Sequence, residues 1–294
     1  MTYMDYGFSE TIADKRFEKD IQGRKLCMER LLTASELAPY LELLNRIWGF
    51  SEKEEIPLHE AVVVVKTGGL VVGIEVDGAR AGLVYAMPAF TKEWGYHHHS
   101  NFMGFLPEYR FRGLGLEAKR VHALLAGREG VELITWTFDP LQAANANLNF
   151  RKLGAVSRHY LPDLYGRMGG SFDPGLPTDR LLLEWRLSAR RVQERLAGKV
   201  PSPEELEACY AGATILSIEE GSKEPGDAGP VLVRIPEGVP ELAEREPEKA
   251  ESILLCLRKI ISGLFEDGYA ITGLIPGSGA PGPNYYVLEK GELK

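Results

Sequence analysis

Two arginines and two glycines between residues 110 and 115 form the pattern in this sequence that is best suited to chemistry. They read Arg110-x-x-Gly113-x-Gly115, and they follow a predicted buried strand and precede a predicted helix. The first backbone N–H groups of a helix have no partner within it and lie at the positive end of its dipole. Glycine lets the backbone approach a phosphate closely, and Arg110 and Arg112 add charged donors. The turn therefore predicts a pyrophosphate held by main chain.

Two well-known phosphate loops do not fit this turn. The P-loop pattern Gly-x-x-x-x-Gly-Lys-Ser/Thr is absent, and the dinucleotide pattern Gly-x-Gly-x-x-Gly does not occur at this position. The net charge is −8, the pI is about 5.4, and no long basic patch is present. Nucleic acid is bound through clustered positive charge, so it is not an expected partner.

Length and composition limit the number of domains and the class of protein. The chain has 294 residues, 44% of them hydrophobic, which is enough for two domains. The longest apolar runs are far too short to span a membrane, and the charged first twenty residues have no apolar signal-peptide core. Three widely separated cysteines predict a reduced, cytoplasmic compartment. We therefore expect a cytoplasmic protein without a membrane partner.

Apolar spacing and turn residues predict the order β-α-α-β-β-β-α-β-α-β-β for residues 24–187. Residues 33–48 have helical spacing and end at Gly49, and Asp77-Gly78 is a strong hairpin turn. Residues 1–23 mix aromatic with charged side chains and are predicted to be an N-terminal arm of uncertain order. Pro201-Ser202-Pro203 marks the boundary between a domain at 24–198 and a smaller unit at 199–294.

The turn resembles motif A of the GNAT superfamily of acyl-CoA-dependent N-acyltransferases, which reads Val-x-Pro-x-x-Arg-x-x-Gly-x-Gly. Phe105-x-Pro107 stands for its first part, and Arg110-x-x-Gly113-x-Gly115 completes it. The strand at 133–139 and the helix at 145–155, with its cap Lys152-Leu153-Gly154, resemble motif B. The resemblance covers about residues 24–187 and is closest to a branch of acetyltransferases with a C-terminal extension. It implies an α+β fold, with a GNAT-type mixed central sheet flanked by helices and a smaller C-terminal α+β unit.

The resemblance also implies acetyl-CoA or another acyl-CoA as co-substrate, and no metal. In the family the fourth and fifth strands splay apart, and the pantetheine arm pairs with the exposed edge of the fourth strand, here residues 103–106. A backbone N–H near Met103 would stabilise the oxyanion. Asn145 is a candidate for the pantetheine amides, although the family's asparagine lies about two residues earlier. The implied cofactor-binding residues are Met103, Phe105, Arg110, Phe111, Arg112, Gly113, Leu114, Gly115 and Asn145.

The acid and base are less clearly indicated. The family often has a tyrosine as general acid four residues before the motif B glycine, and this chain has Phe150 there. Tyr160 and Tyr165 are substitutes in the sequence, with packing aromatics as the alternative interpretation. Asp139 is a candidate to bind the amine or relay its proton, and the alternative is a turn aspartate before a proline.

Three consecutive histidines, His97-His98-His99, precede the motif A strand residues. On a strand, His97 and His99 share one face and His98 points to the other. A metal site would therefore need a further ligand from elsewhere. His99 is a candidate general base, and exposed imidazoles at the start of a strand are the simpler interpretation.

Two functions are compatible with these patterns. The leading hypothesis is an enzyme that transfers an acyl group, with acetyl as the expected group, directly from a CoA thioester to a small amine or amino acid. The alternative is a catalytically degenerate protein that binds CoA or acyl-CoA as a sensor or structural subunit, which the phenylalanine at position 150 favours. The C-terminal unit is expected either to dock on the first domain's sheet or to form a homodimer contact.

Overall fold

The computed structural model describes residues 6–50, 54–110, 112–166, 175–217, 229–277 and 282–291. The chain divides into two compact units. The first is drawn from Met1–Trp136, Gly169–Phe172 and Arg186–Ser188, and the second from Thr137–Met168, Asp173–Trp185 and Ala189–Lys294. This division falls inside the predicted domain at 24–198, and the three predicted domain ranges stay a prediction.

The first unit is built on a mixed sheet whose strands follow one another in sequence order. Neighbouring strands are antiparallel, except that β6 and β7 are parallel. Asp77 and Gly78 both have positive φ, 52° and 80°, as the tight turn between β4 and β5 requires. The strands are β1 (Ser9–Ile12), β2 (Arg16–Ile21), β3 (Arg24–Arg30), β4 (Leu70–Val76), β5 (Ala79–Thr91), β6 (Gly95–Phe105) and the beginning of β7 (Leu133–Phe138).

Helices cover both faces of this sheet. Helices α1 (Ala34–Trp48) and α2 (Leu58–Lys66) bury apolar side chains on one face, and α3 (Leu114–Arg128) does so on the other. Thr33 and Glu36 form a capping box at the start of α1, and Gly49 ends it with a φ of 68°. The predicted mixed sheet flanked by helices is confirmed.

The N-terminal segment is more ordered than the sequence suggested. Strands β1 and β2 occupy most of residues 9–21, where an arm of uncertain order was expected. Phe8 and Phe17 are buried and provide the apolar anchors. The charges are paired with α3: Lys19 Nζ lies 2.9 Å from Glu117, and Arg128 bonds Glu10.

The strands of the second unit follow the order β9-β8-β12-β13-β11-β10. Ile271 in β12 lies opposite Ser157 in β8, so the C-terminal segment extends a sheet that begins before residue 198. The strands are β8 (Val156–Leu161), β9 (Arg180–Arg186), β10 (Thr214–Leu216), β11 (Val231–Arg234), β12 (Tyr269–Ile275) and β13 (Tyr285–Lys290). The helices are α4 (Ala143–Ala146), continued by π-helical turns at Asn147–Lys152, α5 (Arg190–Leu196), α6 (Pro203–Cys209), α7 (Val239–Arg245) and α8 (Pro247–Glu266).

Candidate active site

The predicted phosphate turn joins β6 to α3 in the first unit. Gly113 is the N-cap of α3 and has a φ of 79°, a left-handed conformation that favours glycine. It is exposed, and no heavy atom lies within 4 Å of the position that a Cβ would take. Leu116 N donates to Gly113 O over 3.1 Å and closes the first turn. The first N–H groups of the helix therefore face an open space.

The arginines of the turn have different surroundings. Arg110 Nε donates to the carbonyl oxygen of Phe105 over 3.1 Å, which ties the turn to the end of β6. Arg112 is exposed and borders a cleft of about 260 Å³ next to the turn. Arg24 also borders this cleft, and its guanidinium is paired with Asp77 over 2.8 Å. Phe111 lies outside the described residues.

The edge of β6 is paired over only part of its length. Strand β5 pairs with β6 as far as Phe105, whereas β7 pairs with it only at His98–Ile134 and His99–Thr135. Among the described residues, positions 100–105 of β6 have no strand partner on that edge. The pairing with β5 skips Asn101, which marks a bulge, and bulges bend a strand away from its neighbour.

Two predicted cofactor contacts lie on this stretch. Met103 and Phe105 are half-buried, and their side chains pack against the core cluster on the α3 face. Between them, Gly104 lies under the indole of Trp48, where an added Cβ would come within 2.2 Å of the ring. Only main chain is therefore available to a ligand along the edge of residues 103–105.

The histidine run is less exposed than the simpler interpretation expects, since His97 and His98 are buried and His99 is half-buried. His97 is 2% exposed and His98 is fully buried. His98 Nε2 lies 2.9 Å from Gly68 O, which can only accept, so His98 Nδ1 accepts from His122 Nε2 over 3.2 Å. His99 Nδ1 is 2.9 Å from Thr135 Oγ1. Burial lowers the pKa of His99 to about 4, so it is a weak base at neutral pH.

Asp139 belongs to the second unit, immediately after β7. Its carboxylate accepts a hydrogen bond from Leu141 N over 2.8 Å, the local bond of a turn aspartate. Burial raises the pKa of Asp139, while this bond and Arg180 partly oppose the increase. Both interpretations of Asp139 agree with this geometry, because a carboxyl with a raised pKa at a strand end is also suited to proton relay.

The two tyrosines proposed as substitutes are also in the second unit and differ in surroundings. Tyr160 is tied down, since its hydroxyl donates to Asp179 over 2.7 Å. Tyr165 is 47% exposed, and its hydroxyl is 2.9 Å from Thr137 Oγ1 on β7. The Arg180 guanidinium stacks 5.3 Å from its ring centroid. Tyr165 is therefore the tyrosine with a hydroxyl near the surface.

The two residues singled out on the motif B helix differ in exposure. Asn145 is exposed on α4. Phe150 is 1% exposed and packs edge-on against Phe138 and Tyr286, at 5.8 and 5.7 Å between centroids. The position at which the family often has a tyrosine is thus a core position in this protein.

A buried lysine was missed by the sequence analysis. Lys119 on α3 is 1% exposed, and its amine lies 3.0 Å from Ser100 Oγ and 3.7 Å from the Trp136 ring centroid. Burial lowers the pKa of Lys119 to about 7. In the sequence, Lys119 and His122 lie three positions apart, which puts them on one face of α3. Two polar residues on one face of a largely buried helix could have indicated a buried polar site.

Within the described residues, no three His, Cys, Asp or Glu side chains come together as a metal-binding group. The described helices also include none that is both long enough and apolar enough to cross a membrane.

No protein-family model matches the sequence, and no curated protein matches it. Several solved structures do match. An acetyltransferase of the GNAT family from Streptococcus pneumoniae has 17% identity and a TM-score of 0.43, over 54% of this chain and 98% of its own. A GNAT family acetyltransferase from Elizabethkingia anophelis with acetyl-CoA bound has 14% identity and a TM-score of 0.42, over 55% and 97%.

Arabidopsis thaliana Naa50, in complex with the bisubstrate analogue CoA-Ac-MVNAL, has 11% identity and a TM-score of 0.41, over 53% of this chain and 97% of its own. Each of these proteins is thus covered almost completely by about half of this chain. These similarities say nothing about the residues of a site.

Proposed function

We propose that this protein is an acyl-CoA-dependent N-acyltransferase, which moves an acyl group, most simply acetyl, to a small amine or amino acid. The observation that carries the proposal is the open N-terminus of α3 directly after a strand with an unpaired edge. These two features lie end to end on one continuous stretch of chain. They suit a ligand that has a pyrophosphate at one end and an amide-bearing arm along the strand.

Different residues of the first unit are proposed to bind different parts of the acyl-CoA. The N–H groups of Gly113, Leu114 and Gly115 would hold the pyrophosphate, and the exposed Arg112 would add charge. The edge of β6 would pair with the pantetheine arm as an added strand does. A backbone N–H near Met103 would stabilise the developing oxyanion. A bound thioester supplies an activated carbonyl, and the protein supplies position and hydrogen bonds.

Four further residues are proposed to take part, in the roles that the sequence predicts. Tyr165 has a half-exposed hydroxyl and is the proposed proton donor to the thiolate. Asp139 has a raised pKa and is the proposed partner of the amine. Asn145 is exposed on α4 and is proposed to bond the pantetheine amides. His99, with its lowered pKa, is the weakest of the proposed bases.

One observation favours a second function, a protein that binds CoA or acyl-CoA without turnover. Phe150 is sealed in the core, so no hydroxyl is available at the position that often carries the family's general acid. Turnover distinguishes the two functions, whereas CoA binding is common to both.

The test is the release of free thiol from acetyl-CoA and succinyl-CoA with a panel of amino acids and polyamines, with CoA binding measured by calorimetry. Turnover on any amine supports the enzyme. Binding without turnover supports the second function. Absence of CoA binding contradicts both.

A pair of glycine variants tests the site itself. Gly113→Glu places a carboxylate where the phosphates are expected, and we expect CoA binding to be abolished. Gly130, at the other end of α3, has the same φ of 79° and the same open surroundings, so Gly130→Glu is a matched control for backbone strain. Normal CoA binding by folded Gly113→Glu would show that the turn is not the phosphate site.

A further inference from the structure

Lys119 is a lysine in the core of the first unit. It is 1% exposed, and among the described residues no carboxylate forms an ion pair with it. Burial is the sole cause of its lowered pKa. A buried ammonium normally needs a carboxylate partner, so a lone lysine in a core opposes folding. Side chains that are unfavourable for stability are concentrated at functional sites.

The position of Lys119 connects it to the proposed site. Strands β6 and β7 last pair at His99 and Thr135. The next residue on β6 is Ser100 and the next on β7 is Trp136, and the Lys119 amine contacts both. The amine therefore lies where the two strands separate, at the inner end of the unpaired edge of β6.

Both protonation states of Lys119 have a partner. The amine donates a hydrogen bond to Ser100 Oγ over 3.0 Å. Once neutral, it also has a lone pair that can accept from the same hydroxyl. The ammonium is stabilised by the face of the Trp136 indole, 3.7 Å away. Because its pKa is about 7, the amine can take up and release a proton near neutral pH.

The titratable groups around Lys119 do not compete for this proton. On β6 and α3 the neighbours are the histidines His98, His99 and His122, and burial keeps the pKa of each below the ordinary value. On β7 the neighbours are Thr135 and Trp136, which do not titrate. His122 Nδ1 is buried without a hydrogen-bond partner in the described part of the chain, so a proton there would be unstabilised.

We propose that Ser100 and Lys119 form a proton-accepting pair for acyl transfer. This rests on the proposed function. As the amine nitrogen bonds to the thioester carbonyl carbon and the carbon–sulfur bond breaks, the amine proton passes to Ser100 Oγ and the Ser100 proton passes to Lys119 Nζ. The thiolate leaves and is protonated by the proposed donor Tyr165. The lysine ammonium then releases its proton to solvent, from which Tyr165 is reprotonated. The products are an amide and free CoA, and the pair returns to its starting state.

Two variants test the pair, with a matched control. Lys119→Met keeps the length of the side chain and removes the amine, and Ser100→Ala removes the hydroxyl. Lys66→Met, at an exposed position of α2 in the same unit, is the control. We expect CoA affinity to stay within about twofold in all three proteins. We expect kcat/KM to fall about 100-fold in Lys119→Met and Ser100→Ala, as the loss of general base catalysis predicts, and to be unchanged in the control.

The pH profile distinguishes proton transfer from a structural role. Wild-type kcat/KM should rise with pH through about 7, as Lys119 becomes neutral, and this limb should be lost in Lys119→Met. A retained limb, or unchanged activity, would overturn the pair. If Lys119→Met does not fold, the profile of Ser100→Ala decides in the same way.

Three outcomes are distinct. An acyl group found by mass spectrometry on Lys119 would overturn the pair by making this amine the nucleophile. Wild-type protein that binds CoA but turns over no amine would contradict the proposed function and the pair together. Active wild type with an equally active Lys119→Met would contradict the pair alone.

Discussion

Replacing Lys119 with methionine should make the protein more stable at neutral pH. In the unfolded chain a lysine has an ordinary pKa of 10.5 and is protonated at pH 7, whereas burial lowers the pKa of folded Lys119 to about 7. Folding therefore displaces a proton from this side chain at neutral pH. Methionine has a similar length and no charge, so it fills the same space without this opposition.

The structure gives the size of the effect. The gap between 10.5 and about 7, at about 1.4 kcal/mol for each pH unit, opposes folding by roughly 5 kcal/mol at neutral pH. Methionine leaves the Ser100 hydroxyl without its hydrogen-bond partner, which lowers the variant's free energy of unfolding by about 1–3 kcal/mol. We therefore expect Lys119→Met to raise the free energy of unfolding by about 3 kcal/mol at pH 7.

The dependence on pH identifies the cause. Above the folded pKa and below 10.5 the unfolded chain holds more protons than the folded protein, so wild-type stability rises with pH in this window. Between pH 7 and 9 the lysine's contribution to wild-type stability should rise by about 2 kcal/mol. Lys119→Met lacks this contribution, so its advantage over wild type should shrink by the same amount.

The assay is urea unfolding at pH 7, 8 and 9 for wild type, Lys119→Met and the exposed control Lys66→Met. Native-state hydrogen exchange of the α3 amides reports on the first unit alone. A methionine variant that is less stable than wild type at pH 7 would refute the reasoning. An advantage that is the same at pH 7 and 9 would also refute it, because the gain would then not arise from a displaced proton.

Two further predictions concern stability. Acid should weaken the first unit, because the unfolded chain takes up protons as the pH falls through 6.5 while burial keeps three histidines neutral; they are His98, His99 and His122. The melting temperature, measured by circular dichroism, should fall from pH 7 to pH 5, and a flat profile would contradict their burial. Gly104→Ala should destabilise the protein by about 2 kcal/mol, because the Trp48 ring occupies the space of the new Cβ. Gly263→Ala, in α8 with nothing within 4 Å, should instead stabilise it by about 0.5–1 kcal/mol; equal effects of both variants in urea unfolding would contradict the packing.

Much of the fold could be predicted because its signals are local. The order of elements from residue 24 to 187 was predicted correctly. Thr33 with Glu36, and Asp77 with Gly78, are such signals, because a cap or a tight turn depends on neighbouring residues. A helix beginning after Arg110-x-x-Gly113-x-Gly115 could be predicted for the same reason.

Other features depend on contacts between distant parts of the chain. Strands β1 and β2 have few apolar residues, and their charges are paired with α3, which no local pattern reveals. The alternation of a strand shows that His98 and His99 face opposite ways, but it does not show what covers them. His98 is covered by His122, and Lys119 reaches Ser100. The proton-accepting pair could therefore not be read from the sequence.

The anchoring of the N-terminal hairpin has a consequence for synthesis. Arg128 holds Glu10 and Asp14, which precede it by 118 and 114 residues. At about 5–20 residues per second, a ribosome needs roughly 6–24 s to make the chain between Glu10 and Arg128. The hairpin is thus synthesised before Arg128, its partner at the C-terminal end of α3, has been made. A nascent chain that stalls in this interval carries an unanchored strand edge, which is open to pairing with other chains.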